Sequence, residues 1–413
     1  MPVSFILQNF RFLGFGLFLA FWSSIGQTYF IGVYRVPIAE EYGLSNSDFG
    51  FYYLMVTIVS AVGLNRLGHV IDRTKLLPYC LLLIFAAAVA CLAMGFTTAF
   101  WMVIVCLMAV RLLGQGLLTH AAMTSMSRYF DRRRGVAVAI AGLGFPIGQA
   151  ILPPIAVMLM STYAWRTGWI IFAAGLVLVG MPLVAWLLKG HSVRHEKWEA
   201  QQGASSSGQA ENSVGDKRRR DVLADKRFYL MLPALLAGPF WITAVFFFAA
   251  EVGGYAGMDL AEYTGYYWLY ALGSVMAPFV GGLLVDRFGG QRLIPVYPPI
   301  VGMALLSVLM LPGAQGVVFF MLLMGLSAGI TLPINNAIWA ELYGTRYLGE
   351  IKSLSTSLAV LSTALAPYMV GLLLDEGVLL QDVLLFGAFY CFLATTLVLP
   401  VALQGWMSPF SRK

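Results

Sequence analysis

One cation lies near the middle of a long apolar segment of the sequence. Reading residues 100–125 as a helix places Arg111 roughly 16 Å from the helix start, about half of a ~30 Å hydrocarbon layer. A central arginine costs about 2.5–3.5 kcal/mol, and such residues usually line a bundle interior or a water-filled cavity. Gln115 and Thr119 follow on the same helix face. The guanidinium is suited to bind a carboxylate. In the alternative, structural interpretation, it binds helix-end or loop carbonyls.

A second group of polar and amphipathic side chains is placed for a central cavity. Each of them could instead make an interhelical hydrogen bond of ~0.6 kcal/mol. They are Gln27, Gln149, Trp241, Asn335 and Asn336. Tyr270 is a separate candidate, because it is the deepest member of a tyrosine stripe at helical spacing that is suited to contact an aromatic or apolar ligand.

Two tyrosines and two titratable residues are assigned roles from their positions along the predicted helices. Tyr52 and Tyr53 lie near a predicted helix start, which favours an interfacial aromatic belt. Glu251 and His120 are candidates for carrying a proton, although a packed neutral histidine is the simpler interpretation of His120.

The composition is that of a polytopic membrane protein. Of the 413 residues, 59% are hydrophobic and 11% are charged, against about 25% charged in soluble domains. Apolar runs long enough to span a bilayer recur along the chain. We predict an all-α membrane protein with twelve transmembrane helices. The predicted spans are 12–34, 49–66, 76–96, 100–125, 135–159, 168–188, 228–250, 262–285, 293–312, 316–339, 353–374 and 382–403.

The basic residues predict the orientation. Only Arg35 and Arg166 fall in the predicted outer loops, and apart from Arg111 all other Lys and Arg residues fall on the inner side. Both termini are then cytoplasmic, in a bacterial inner membrane. The net charge of +6 is explained by this topology rather than by nucleic-acid binding. The lipid bilayer is the expected partner of residues 217–220, and we expect a monomer.

Other chemistry is not indicated by the sequence. The four cysteines lie within predicted helices at no metal-ligand spacing. No nucleotide-binding loop or hydrolytic constellation occurs. We therefore expect no metal, no cofactor and no enzymatic activity.

The two halves of the chain repeat each other at a constant separation. Six helices are predicted in residues 1–188 and six in 228–413, joined by a polar cytoplasmic linker, 189–227. Arg111 has no counterpart, because the equivalent position is Gly325, and a residue present once is the better candidate for the chemistry. The repeated loop residues are Gly68, Asp72 and Arg73 in the first copy, and Gly282, Asp286 and Arg287 in the second.

On these residues the chain resembles the major facilitator superfamily. Its Gly-x-x-x-Asp-Arg loops resemble the family signature between helices 2 and 3, and residues 111–116 resemble the fourth-helix motif. Residues 129–135 and 343–349 are most similar to the monocarboxylate and oxalate/formate transporter branch. The resemblance implies two pseudo-symmetric six-helix bundles, with the Asp-Arg loops latching the outward-open state. Each loop aspartate could accept backbone N–H groups of a helix start.

These observations predict a secondary active transporter of a small organic anion, monocarboxylate-like, which works by alternating access around a site at mid-depth. Importing an anion against an inside-negative potential costs about 2.3 kcal/mol per charge per 100 mV. Uptake would therefore need a co-transported cation, for which a proton is the candidate. One alternative is an exporter of apolar or cationic compounds, in which Arg111 is structural. A transporter-like nutrient sensor is another.

Overall fold

The computed structural model describes residues 2–130, 133–192, 194–195 and 217–407. Within these ranges the regular structure is helical, which confirms the expected all-α class. Twelve helices are long and apolar enough to cross a membrane, in agreement with the predicted number. They are α1 (Ser4–Gly26), α2 (Asn46–Arg73), α3 (Leu76–Gly95), α4 (Phe100–Tyr129), α5 (Arg134–Thr162), α6 (Trp165–Leu187), α7 (Lys226–Phe247), α8 (Leu260–Phe288), α9 (Gly290–Met310), α10 (Gly313–Tyr343), α11 (Leu348–Asp375) and α12 (Leu380–Gln404).

The first helix departs most from the prediction, because it is interrupted. We predicted a span over 12–34, whereas α1 ends at Gly26, and Gln27 adopts extended backbone (φ −82°, ψ 155°). Helical structure resumes at Thr28 and continues in short segments to Tyr42. The local sign of the break is the small and polar stretch Ser23-Ser24-Ile25-Gly26-Gln27-Thr28, which is outweighed in the hydropathy pattern by the apolar residues before and after it.

The segment after the break is anchored by aromatic packing. The ring of Tyr34 lies 4.8 Å from that of Trp169 in α6, and the ring of Phe30 lies 5.4 Å from the same indole. Gly168 leaves room for this contact, since a Cβ there would lie 2.7 Å from the Tyr34 hydroxyl. These buried rings fix where helical structure resumes after Gln27.

The chain forms two compact units. Of the described residues, the first unit contains 2–43, 52–130, 133–192 and 194–195, and the second contains 44–51 and 217–407. The assignment of 44–51 to the second unit was not expected from the repeat. Within the second unit, Asp375 at the end of α11 accepts hydrogen bonds from the backbone N–H groups of Asn46 (3.1 Å) and Ser47 (2.7 Å).

The end of the predicted linker is folded onto the second unit. A short helix, Arg219–Leu223, precedes α7, and Val222 is fully buried in a core that contains Phe228, Trp339 and Tyr343. Asp225 begins α7 by accepting a 2.9 Å hydrogen bond from the backbone N–H of Arg227. Most of the predicted linker, 196–216, lies outside the described residues.

Candidate functional site

Arg111 lies inside the first unit, where α4 changes from an α-helix to a π-helical segment, Leu112–Leu118. Its side chain is 2% exposed. Nη1 donates hydrogen bonds to the Tyr53 hydroxyl and, at 3.4 Å, to the carbonyl oxygen of Gly26. Cζ lies 4.4 Å from the centroid of the Tyr53 ring, a cation–π contact. The guanidinium therefore points into protein and not towards lipid.

Two glycines bring the interrupted helix and the π-helical segment together. A Cβ on Gly26 would lie 2.6 Å from the Gln115 nitrogen, and a Cβ on Gly114 would lie 2.8 Å from the Gly26 nitrogen. The backbones of α1 and α4 can meet only because both residues lack a side chain. The Gly26 carbonyl is at the negative end of the α1 dipole, so the Arg111 cation is favoured beside it. This contact is the structural role that the sequence left open.

The contacts of Arg111 do not use all of its hydrogen-bonding capacity. A guanidinium carries five N–H donors, and Arg111 Nε is buried without a hydrogen-bond partner among the described residues. The contact to Gly26, at 3.4 Å, is longer than the usual range for N–H···O bonds. Within the described part of the chain, no Asp or Glu forms an ion pair with Arg111. A buried cation without a counter-ion is costly, so this environment favours an anionic ligand.

Tyr53 belongs to this site, although the sequence analysis assigned it to an interfacial belt. It is 1% exposed, and its hydroxyl lies 2.6 Å from Thr28 Oγ1, just after the break in α1. Tyr53 thus links Arg111 to the segment that resumes at Thr28. This contact depends on how α2 and α4 are aligned along their lengths. The residue pattern within each helix does not predict that alignment.

Three glutamines expected at the site lie in the first unit. Gln27 occupies the break itself, and Gln115 is half-buried in the π-helical segment that contacts Gly26. Gln149 is 5% exposed, and its Nε2 has no partner among the described residues. Its neighbour Gly148 packs on α1, since a Cβ there would lie 2.0 Å from Ser24 Oγ. The structure therefore places all three glutamines near the break in α1.

The second unit holds the other four candidates for substrate contact. Trp241 and Tyr270 are buried, at 3% and 9% exposed. The Trp241 ring packs on Gly387 of α12, where a Cβ would lie 2.8 Å from it, and this contact suits a packing role. Asn335 Oδ1 is buried without a partner in the described residues. Asn336 is exposed and accepts a 3.0 Å hydrogen bond from Lys352 Nζ, a cation of α11 that the sequence analysis did not single out.

Position 325 has no room for a second arginine. A Cβ on Gly325 would lie 2.2 Å from the carbonyl oxygen of Tyr270, where α10 and α8 are in backbone contact. The asymmetry between Arg111 and Gly325 therefore has a steric cause. The second unit uses this position for close helix packing.

The two proton-carrier candidates differ in their surroundings. His120 Nε2 lies 3.1 Å from the carbonyl oxygen of Gly68, and because a carbonyl only accepts, this nitrogen must carry the proton. The contact ties α4 to the turn at Gly68 near the end of α2, which suits a packing role for His120. Glu251 is half-buried in a short helix that follows α7, Ala249–Tyr255.

The two Asp-Arg loops are held by different contacts. We expected each aspartate to accept backbone N–H groups. In the first loop Asp72 instead forms an ion pair with Arg128 of α4, which also donates to the Ile71 carbonyl oxygen at 3.2 Å. Arg73 is exposed.

In the second loop the capping carboxylate belongs to another residue. Glu341 accepts hydrogen bonds from the backbone N–H groups of Gly290 (2.7 Å) and Gln291 (2.8 Å), while Asp286 and Arg287 are exposed. Arg128 and Glu341 could not be found from the repeat, because neither has a counterpart of the same type in the other half.

Comparison with known proteins gives a family match over most of the chain. A family model described as the Major Facilitator Superfamily matches residues 15–367. Monocarboxylate transporter 3 of Gallus gallus is 28% identical over 109 residues, 25% of this chain and 20% of that protein. Monocarboxylate transporter 4 of Mus musculus is 25% identical over 165 residues, 40% and 35% of the two chains. Membrane sensor protein UhpC of Salmonella typhimurium is 23% identical over 270 residues, 60% and 58%. The chain thus spans between 20% and 58% of these relatives.

Solved structures support the fold. A bacterial homologue of the human lysosomal transporter Spinster, inward-facing and unoccupied, has a TM-score of 0.68 at 14% identity, with 97% of this chain and 99% of that chain covered. The peptide transporter POT has a TM-score of 0.70 at 14% identity, with 95% and 94% covered. At this level of identity the comparison establishes the fold alone.

Proposed function

Since the chain belongs to the major facilitator superfamily, whose fold it shares with solved transporters, we propose that it is a secondary active transporter of a small organic anion, monocarboxylate-like. The observation that carries this proposal is the buried guanidinium of Arg111, which lacks a carboxylate partner among the described residues and keeps an unpartnered Nε. A carboxylate from the substrate would supply the missing acceptor and the counter-charge. Arginine matches the planar shape of a carboxylate, and charge-assisted bonds of this kind are the stronger ones.

The neighbours of Arg111 suit the same ligand. Gln27, Gln115 and Gln149 offer amide N–H donors, and the Tyr53 hydroxyl shares a hydrogen bond with Thr28. The similarity to monocarboxylate transporters 3 and 4, though it covers less than half of each chain, favours a monocarboxylate over other anions. Trp241, Tyr270, Asn335 and Asn336 are proposed to contact the rest of the substrate.

Transport is proposed to proceed by alternating access of the two repeated halves, with the Asp-Arg loops as gates. The gate residues are Gly68, Asp72, Arg73, Gly282, Asp286 and Arg287. The basic residues of its loops predict cytoplasmic termini, and we propose that the protein is a monomer in a bacterial inner membrane. For uptake, a proton moving with the anion would cancel its charge. Glu251 and His120 are the proposed candidates for carrying this proton.

Uptake by purified protein in liposomes tests the substrate assignment. Wild type should accumulate labelled monocarboxylates such as lactate, pyruvate or formate, and Arg111→Ala should lower uptake about a hundredfold, as expected when one partner of a buried charge pair is removed. Arg66→Gln, which removes an exposed cation of α2 in the same protein, should leave uptake unchanged. Full uptake by a folded Arg111→Ala variant, or efflux of cationic drugs without carboxylate transport, would contradict the proposal.

A transporter-like sensor is the second candidate, and the similarity to Membrane sensor protein UhpC favours it. A sensor would bind the carboxylate, seen as a rise in the unfolding temperature that depends on Arg111, without moving it across the bilayer. Binding without accumulation under an imposed proton gradient would select the sensor.

A further inference from the structure

The first unit contains a polar cavity far along α1 from Arg111. It has a volume of about 150 Å³ and lies between the start of α1 and the segment that follows α6. Three cationic side chains line it, Arg11, Lys189 and Arg194. Among the described residues, the lining contains no aspartate or glutamate.

Only neutral acceptors contact these cations among the described residues. Arg11 Nη2 donates to the Trp186 carbonyl oxygen, and Arg194 Nη2 donates to Asn9 Oδ1 at 2.9 Å. Arg11 Nε is buried without a partner in the described part of the chain. Three positive charges therefore converge on a small space, where the field attracts an anion.

His191 adds an unused polar group to the same cavity. Both of its ring nitrogens are buried without a partner among the described residues, and its ring stacks on Phe12 at 5.0 Å. Burial, and next the charge of Arg194, lowers the pKa of His191 to about 4. At neutral pH the ring is therefore uncharged, with one N–H to donate and no like charge to add to the three cations.

The two guanidinium groups are held by aromatic rings. Arg194 Cζ lies 4.5 Å from the Phe12 centroid and 5.0 Å from the Phe130 centroid. Arg11 Cζ lies 5.1 Å from the Trp186 ring. Stacking occupies the faces of a guanidinium and leaves its N–H edge for oxygen acceptors. The cations are thus positioned before any ligand arrives.

The size and surroundings of the cavity indicate the ligand. Its volume is below the about 300–1,000 Å³ of drug-sized pockets, and it suits a single phosphate-sized group. Large apolar side chains beside the cavity are exposed, with Leu7 68%, Phe10 54% and Trp186 52% accessible. We propose that this cavity binds the phosphate group of an anionic phospholipid, whose acyl chains lie along these exposed side chains. Basic pockets near helix ends are suited to lipid head groups.

Native mass spectrometry of the full chain in detergent tests the proposal. Short-chain phosphatidylglycerol, phosphatidylcholine and inorganic phosphate are titrated separately. Wild type should bind one phosphatidylglycerol with a clear preference over phosphatidylcholine. Lys189→Gln combined with Arg194→Gln should weaken this binding about twenty-five-fold, since each basic residue contributes about fivefold. The matched control, Arg66→Gln combined with Lys75→Gln, removes the same charge from exposed positions and should change binding less than twofold.

Two results would overturn the assignment. Equal binding of both phospholipids by wild type would show that the cavity does not select an anion. Inorganic phosphate that binds as tightly as phosphatidylglycerol and displaces it would identify free phosphate as the ligand. Both results come from wild type alone, so they do not depend on how the variants fold.

Discussion

Asp375 accepts a 2.7 Å hydrogen bond from the backbone N–H of Ser47, so the first turn of α2 is capped by a side chain from the last turn of α11. The same carboxylate accepts from the backbone and side-chain nitrogens of Asn46. Two glycines allow the approach, because a Cβ on Gly50 would lie 2.7 Å from the Pro367 carbonyl oxygen, and one on Gly371 would lie 2.7 Å from Asn46.

Asp375→Ala should therefore lower stability by about 1–2 kcal/mol, the usual cost of losing a capping side chain with a favourable charge. The measurement is thermal unfolding of purified protein. Glu376→Ala, which removes the neighbouring exposed acid, should change the unfolding temperature little. Equal effects of the two substitutions would argue against the cap.

The ion pair between Glu41 and Arg166 predicts how the stability of the folded protein depends on pH. Arg166 donates hydrogen bonds to both carboxylate oxygens (2.6 and 2.5 Å), and these bonds hold the pKa of Glu41 below its ordinary value of 4.5. A lowered acid pKa adds stability above the unfolded value, and that stability is lost as the pH falls through the folded value. The pair is partly exposed, at 38% for Glu41, so the contribution is about 1 kcal/mol or less.

We expect the unfolding temperature of wild type to fall more steeply below about pH 4.5 than that of Glu41→Gln. Above pH 6 the variant should be the less stable of the two by a constant amount. Parallel pH profiles for the two proteins would show that the ion pair contributes nothing.

Tyr53→Phe removes the hydroxyl but keeps the ring beneath Arg111, so it tests the role of the hydroxyl alone. The cation–π contact remains, but Arg111 Nη1 and Thr28 lose a hydrogen-bond partner, which costs about 1–3 kcal/mol when the group is buried. We expect at least a tenfold rise in KM for the carboxylate in the liposome assay. Tyr163→Phe, at a 54% exposed position, is the control. An unchanged KM would place the substrate away from this hydroxyl.

Gly325→Ala should be destabilising, although alanine is the better helix former. Its Cβ would lie 2.2 Å from the Tyr270 carbonyl oxygen, so α8 and α10 must separate, at a typical cost of about 1–3 kcal/mol. Gly238→Ala, also in a helix of the second unit, meets no atom within 4 Å and should raise stability by about 0.5–1 kcal/mol. Opposite signs in thermal unfolding would confirm the close packing, and a stabilised Gly325→Ala would contradict it.

The number, order and approximate bounds of the helices could be predicted from the sequence, because a span must bury about 20 apolar residues wherever it lies. The depth of Arg111 followed from the same argument. The contacts of Arg111 could not be predicted in the same way, because its contact with Tyr53 depends on how α2 and α4 are aligned along their lengths. Likewise, the extended backbone of Gln27 lies next to the close contact between Gly26 and Gly114, which the residue pattern of α1 does not predict.

The repeat misled in one respect. The shared Gly and Asp-Arg positions around Asp72 and Asp286 suggest equal contacts, but Arg128 and Glu341 are found once each and hold their segments in different ways. Similar backbone topology can thus be stabilised by unrelated side chains, which a comparison of the two halves cannot reveal.

The wide turns of Leu112–Leu118 divide α4 into two parts whose faces are not related by ordinary helical geometry. An α-helix turns by about 100° per residue. If these residues took up regular α-helical turns at the same chain length, Arg111 would swing by roughly that angle relative to His120. The wide turns of this segment thus set the direction in which the buried cation points relative to the end of α4 that is tied to Gly68.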